Sequence, residues 1–293
     1  MNWAFGKYVS SLLLFGSNGI VASMILLSSY DIVFLRTLIG SLFLLAVFLI
    51  GRHRFSFFRN KKSAVFLAAS GAAMGASWMF LFEAYAQIGV GISSLLYYCG
   101  PVLVMILSPL LFKEQLTVRK VLGFAIVLVG LLLVNGTALL SGNLPFGLFC
   151  GAMSAVLYAC MVILNKKASD ISGLENPMMQ LFFGFLTVAV VVGITHGFGF
   201  YPSPSDWFWI LILGAVNTGV GCYLYFTSIG KLPVQTISIF GYLEPLAAVI
   251  FSVLILSEVL TFWQVIGTCC IIGGAVYGGT TLSLRRRKSL EGE

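Results

Sequence analysis

Charge is scarce in this 293-residue chain: 9% of its residues are Asp, Glu, Lys or Arg, against about 25% in ordinary soluble domains. There are too few charges to cover a water-soluble surface. Histidine is limited to His53 and His196. His53 falls in a connection and His196 at the end of an apolar run, so an intramembrane serine–histidine dyad has no histidine to use. None of the six cysteines (Cys99, Cys150, Cys160, Cys222, Cys269, Cys270) makes a CxxC pair. With no clustered His, Cys and carboxylate groups, no metal site and no cofactor are expected, and the cysteines read as small apolar fillers. Every lysine lies at the end of an apolar run or in a connection, which excludes a retinal-type receptor that needs a Schiff base within a helix.

What is present is apolar, at 59% of the residues, with aromatics at 14%. Runs of about 20 apolar residues match the roughly 30 Å hydrocarbon core of a bilayer. Ten are predicted: 4–26, 32–50, 63–88, 91–112, 118–137, 146–164, 178–195, 207–229, 234–256 and 262–282. Connections are too short to hold a soluble domain. The N-terminus lacks a basic stretch and a small-residue cleavage site, so the first run is expected to be retained as a span.

Basic residues are absent from every odd-numbered connection. The even-numbered connections carry Arg52, Arg54, Arg59, Lys61 and Lys62, then Lys113, Arg119 and Lys120, then Lys166 and Lys167, then Lys231. Lys7 and the tail Arg285, Arg286, Arg287 and Lys288 fall on the same side, leaving Arg36 alone inside a run. The formal charge of +7 is therefore the positive-inside signal and not a nucleic-acid surface. It places both termini in the cytoplasm, with the chain multi-pass in the plasma (inner) membrane.

A shift of 144 residues lays one half of the chain on the other without a gap. Gly40 falls on Gly184, Gly75 on Gly219, Phe82 on Phe226, Ser94 on Ser238, Tyr98 on Tyr242, Pro101 on Pro245, Glu114 on Glu258, Gly123 on Gly267 and Gly130 on Gly274. The first run matches the sixth by a shift nearer 143. Five runs per repeat is an odd number, so the second repeat enters the membrane from the opposite side. The expected architecture is all-α: ten transmembrane helices as two inverted five-helix repeats, residues 1–138 and 139–284, with a basic tail at 285–293. Inverted repeats underlie many secondary transporters.

The paired segments Pro101…Glu114-Gln115-Leu116-Thr117…Gly123…Gly130 and Glu244-Pro245…Glu258-Val259-Leu260-Thr261…Gly267…Gly274 resemble the ten-span EamA branch of the drug/metabolite transporter superfamily. The resemblance covers nearly the whole chain. It implies transport of small organic metabolites across the inner membrane, often export of amino acids.

A charge near the bilayer centre costs roughly 3 kcal/mol on insertion scales, so ionisable groups inside spans are candidates for function. Glu244 lies ten residues into the ninth run, about 15 Å deep at 1.5 Å per residue. Pro245 follows and must loosen the helix there. Glu244 is expected either to bind a substrate amine, to carry a coupling proton, or to act as a neutral acid bonded across the repeat interface. Arg36 and Glu83 lie at similar depth, about five residues from the far ends of the second and third runs, and are expected to form an ion pair. That pair reads as a gate or as a structural tie between two helices. Asn18, Trp78, Tyr98, Tyr225 and Tyr242 are expected to line the site with Glu244 and Glu83. Three GxxxG pairs, Gly71–Gly75, Gly147–Gly151 and Gly274–Gly278, let helices approach closely.

The favoured function is a monomeric carrier, working by alternating access, for an amino acid or related amine. Its partners are that solute, the lipid bilayer and, through Glu244, a proton. The alternative is uptake or efflux of a quaternary or other organic cation held by acidic and aromatic residues. A channel remains as a further reading, which saturable flux would separate from a carrier.

Overall fold

The computed structural model describes residues 2–53, 55–135, 145–195, 197–256 and 261–279. The described residues contain helices and no strand: α1 (Asn2–Gly16), α2 (Asn18–Ser23), α3 (Ser29–Ile50), α4 (Lys61–Tyr97), α5 (Gly100–Phe112), α6 (Val118–Asn135), α7 (Pro145–Lys167), α8 (Glu175–Thr195), α9 (Asp206–Leu211), a π-helical segment (Ile212–Val220), α10 (Gly221–Ile229), α11 (Val234–Phe240), α12 (Leu243–Leu256) and α13 (Phe262–Gly279). A chain in hydrocarbon must satisfy its backbone internally, and helices do this within each segment. Among the described residues, six helical stretches are long and apolar enough to cross a bilayer, and 100–112 and 265–278 are shorter apolar helices. Large apolar side chains such as Leu110, Ile194 and Leu254 lie on the outside, as a lipid-facing surface requires. The protein is a polytopic all-α membrane protein.

Polar side chains set the helix starts. Ser28 accepts the amide of Asp31 at the head of α3, and Asn60 accepts those of Lys62 and Ser63 at the head of α4. Prolines set two breaks. The ring of Pro101 opposes the carbonyl four residues back, at Tyr97, where α4 ends; Pro245 opposes Gly241, just after α11 ends. The breaks occupy the same place in both repeats.

Two expected boundaries need correction. The first run is not one helix: it divides at Ser17 into α1 and α2. The third and fourth runs are not separated by a break near residue 90, because helical bonding in α4 continues to Tyr97. The chain nevertheless reverses there. Ser70 bonds to the carbonyl of Met161 and Ser77 to that of Ser154, so the first part of α4 runs antiparallel to α7. Farther on, Leu96 lies over Gly151 and Gly100 over Ala155 and Tyr158, an order parallel to α7.

Packing follows the repeat. The third run lies on the sixth as the eighth lies on the first; the fourth on the sixth as the ninth on the first. The fifth and tenth runs, α6 and α13, pack on each other. At their crossing a Cβ on Gly123 would come 2.7 Å from the carbonyl oxygen of Gly274, and one on Gly130 would come 2.6 Å from that of Gly267. Gly123 and Gly267 are repeat mates, as are Gly130 and Gly274, so each glycine meets the other's mate. That reciprocity is the signature of a two-fold relation between antiparallel helices.

The basic connections share one face. Glu175 accepts the amides of Ser56 and Phe57, each at 2.7 Å; Asp170 accepts Ser63 Oγ at 2.7 Å; Glu114 accepts the amides of Val234 and Gln235 at 2.8 and 3.1 Å. Lys166 bonds to the carbonyl of Leu232 and Lys120 to Gln235. On the opposite face the amide of Leu26 reaches Asp206 at 3.4 Å. Arg54, His196, Glu258 and the tail 285–293 lie outside the described residues.

Candidate functional site

A cavity of about 460 Å³ lies between the repeats, within the usual range of small-molecule sites. Its floor is aromatic. Tyr158 and Tyr225 face each other with hydroxyl oxygens 3.2 Å apart, and Phe226 lies edge-on to Tyr225. From there the cavity rises past Glu244 and Arg36 to Ala22, Ile32 and Phe82, within about two turns of the helix ends on the face opposite the basic one.

Breaks in three runs shape its middle. Gly16 ends α1, and a Cβ there would meet the carbonyl oxygen of Glu244 at 2.9 Å and the Cβ of Ala247 at 2.5 Å. The glycine thus lets the α1–α2 break dock on the first turn of α12. Asn217 anchors the same break from the π segment. Its side-chain amide reaches the carbonyl of Leu14 at 3.0 Å, Ser17 Oγ at 2.8 Å and Asn18 Oδ1 at 3.1 Å. The adjacent Thr218 donates to the carbonyl of Leu213, five residues back, at 2.7 Å, and accepts the Nε–H of Arg36 at 3.0 Å. The wider π turn therefore places Asn217 toward α1 and Thr218 toward α3. Such turns recur at functional sites.

Of the residues expected at the site, Glu244, Trp78, Asn18, Tyr98, Tyr225 and Arg36 line the cavity. Glu83 and Tyr242 do not. Tyr242 is fully buried behind the wall, where its hydroxyl donates to the carbonyl of Tyr98. The expected ion pair between Arg36 and Glu83 is not formed. Arg36 turns inward onto Thr218, with its guanidinium carbon 4.9 Å from the centre of the Trp78 ring. Glu83 instead accepts the Tyr30 hydroxyl and the side-chain amide of Gln87, the latter at 2.9 Å. The reason is local: Gln87 sits one helical turn from Glu83, and Trp78 and Thr218 give the guanidinium a flat ring face and an acceptor. Sequence inspection missed Thr218 because it is 182 residues from Arg36. It also missed Tyr158, whose only sequence signal is a tyrosine in the middle of the sixth run.

The two repeats differ at equivalent positions: one set lines the cavity and its mates are packed away from it. Ala22, Ile32 and Arg36 line it. Their repeat mates, by shifts of 143, 144 and 144, are Asn165, Asn176 and Gln180. These three are buried and bonded together near the basic face: Asn165 donates to Asn176 and to Gln180, each at 3.0 Å, and Asn176 donates to the carbonyl of Ile171 at 3.1 Å.

Comparison with known proteins agrees with this architecture. The model of the EamA-like transporter family matches residues 4–136 and again 145–277. The chain belongs to that family. An uncharacterized transporter, YxxF, of Bacillus subtilis (strain 168) is 28% identical over 96% of this EamA-like chain and 89% of its own length. The threonine/homoserine exporter RhtA of Salmonella typhimurium (strain LT2) is 24% identical over 88% of this chain and 83% of its own. A solved crystal structure superimposes with a TM-score of 0.81, covering 94% of this chain and 98% of the other at 20% identity, which speaks to the fold. The protein is an EamA-like transporter built from two repeats, and small-molecule transport across a membrane is the function its family carries.

Proposed function

We propose that this EamA-like protein is a secondary transporter that moves an amino acid or related amine across the plasma membrane by alternating access. The observation that carries the reading is the unequal arrangement of equivalent positions around the cavity. Positions 22, 32 and 36 line the cavity, while the equivalent positions 165, 176 and 180 are tied together by hydrogen bonds away from it. Two inverted halves that exchange these arrangements would expose one central site to each side in turn. A channel has no need of such an exchange.

In this reading the basic face and both termini are cytoplasmic, and the cavity opens outward. The substrate sits above the Tyr158–Tyr225 floor. Glu244, at the first turn of α12, contacts its ammonium group or takes up a coupling proton when the substrate leaves. Arg36 contacts the other end of the solute. Asn18, Trp78 and Tyr98 form the wall, and Glu83, bonded to Tyr30 and Gln87, steadies the rim. The relative RhtA, a threonine/homoserine exporter, supports an amino acid as cargo.

The test is flux in liposomes reconstituted with purified protein. Uptake of a radiolabelled amino acid should saturate with concentration and should accelerate when unlabelled substrate is loaded on the opposite side. Flux that rises linearly without saturation, with no such exchange, would sink the carrier reading.

A further inference from the structure

We infer that the cavity selects zwitterions, with Arg36 holding an anionic group of the solute and Glu244 its ammonium group. This rests on the cavity being the substrate site, as proposed above.

The argument begins with what each charge lacks. Arg36 spends only its Nε–H on the protein, on Thr218, and its side chain faces the cavity. No carboxylate among the described residues pairs with it. The two terminal nitrogens of its planar fork, the part suited to bidentate contact with a carboxylate or phosphate, remain directed at the space. Its position is fixed from three sides: by α3, by the π segment through Thr218, and by the Trp78 ring of α4 at 4.9 Å. Glu244 also faces the cavity, and its carboxyl group accepts no hydrogen bond from a described residue. The Gly16 contact fixes the backbone of the first turn of α12, and in the structure the Glu244 carboxylate makes no ion pair with Arg36.

Nor does the repeat explain the two charges. The mate of Arg36 is the neutral, buried Gln180, and the mate of Glu244 is Gly100. Each repeat contributes one charge where the other has none. Opposite charges facing one low-dielectric space without neutralising each other leave an unbalanced field. A solute with a lone ammonium group gains at Glu244 and loses at Arg36. A lone carboxylate does the reverse. A zwitterion satisfies both, and each contact is charge-assisted. The rings of Tyr98, Tyr158 and Phe226 then face the uncharged body of the molecule, and the hydrocarbon character of that body is left broad.

The experiment is equilibrium binding to purified full-length protein in detergent, by calorimetry. The probes are L-phenylalanine, L-leucine and L-threonine, each beside the amine that lacks its carboxylate and the acid that lacks its amine. At least one zwitterion should bind ten-fold or more tightly than both of its singly charged counterparts. Arg36→Gln should abolish the preference over the amine by weakening the zwitterion and, with the like charge gone, tightening the amine. Glu244→Gln should abolish the preference over the acid by weakening the zwitterion and tightening the acid. Misfolding cannot produce that crossed pattern. If Arg36→Gln does not fold, Arg36→Lys keeps the charge without the fork and should narrow the zwitterion-to-amine ratio several-fold. The inference is overturned if no zwitterion outbinds its counterparts, if an amine binds as tightly as its zwitterion, or if the variants weaken all probes equally. Selective zwitterion binding without saturable liposome flux would instead overturn the transport reading and leave this one standing.

Discussion

Tyr98 and Tyr242 occupy the same position in the two repeats, and the hydroxyl of Tyr242 donates to the carbonyl oxygen of Tyr98 at 2.6 Å. A residue touches its own mate only where the axis relating the two halves passes between them. That axis lies at the paired breaks after α4 and α11, beside Glu244. The pair is also where the symmetry fails. Tyr242 is fully buried, whereas Tyr98 lines the cavity. One sequence position therefore serves as a strut in one half and as a wall in the other.

Removing the strut without touching the wall is a direct test of that division. Tyr242→Phe keeps the ring that packs on Phe124 and Tyr98 but leaves the Tyr98 carbonyl without its donor. A buried acceptor left unsatisfied costs about 1–3 kcal/mol. The melting temperature of purified protein should fall, while Tyr98→Phe, whose hydroxyl makes no hydrogen bond with a described residue, should leave it unchanged. Equal melting temperatures for parent and Tyr242→Phe would refute the strut.

The α6–α13 crossing makes an equally local prediction. A Cβ at Gly274 would sit 2.6 Å from the carbonyl oxygen of Gly123, on rigid backbone, whereas a Cβ at the neighbouring Gly273 would meet nothing within 4 Å. Gly273→Ala should be neutral or slightly stabilising, since alanine is the better helix former by about 1 kcal/mol. Gly274→Ala should force the two helices apart and lower both expression and melting temperature. The pair of variants, read by size-exclusion yield and thermal unfolding, fails as support if both behave alike.

In the proposed cycle, the Asn165–Asn176–Gln180 cluster holds the basic side shut. Gln180→Leu removes the acceptor that Asn165 uses at 3.0 Å and leaves Asn165 half-satisfied inside a helical interface. The sealed side should then open more often. In a background with the native cysteines removed, a single cysteine at Met161 on the cavity floor reports this through an impermeant thiol reagent applied from the basic face. Labelling should accelerate several-fold in Gln180→Leu. An unchanged rate would show that the cluster does not hold this side shut.

Much of the fold can be read directly from the order of residues. Pro101 and Pro245 mark the two breaks, because a missing amide and a ring against the carbonyl four residues back act on neighbours in the chain. The glycines at 123, 130, 267 and 274 mark the close crossing, since their spacing puts each pair on one helix face. The depth of Glu244 follows from counting along its run. The π segment has no such mark: Ile212–Val220 contains no proline, and its widened turn is stabilised laterally, by bonds from Asn217 to α1 and from Arg36 to Thr218. Arg36 and Glu83 share a depth in the membrane, which sequence does report, but not an azimuth, which it does not. Helix rotation is decided by neighbours distant in the chain, and it turned Arg36 to Trp78 and Glu83 to Tyr30.

The chain alone determined that this protein lives in a membrane, how its runs alternate, which face is basic, and that one half is the inverted image of the other. These are properties of composition, length and period, and hydrocarbon thickness converts them into architecture with little ambiguity. Only the tertiary structure decided which of two equivalent sets of positions lines the cavity and which is bonded away from it. Near-equivalent repeats can each adopt either arrangement, so the choice rests on interfaces between helices, where Asn165, Asn176 and Gln180 find partners on one side while Ala22, Ile32 and Arg36 face the cavity on the other.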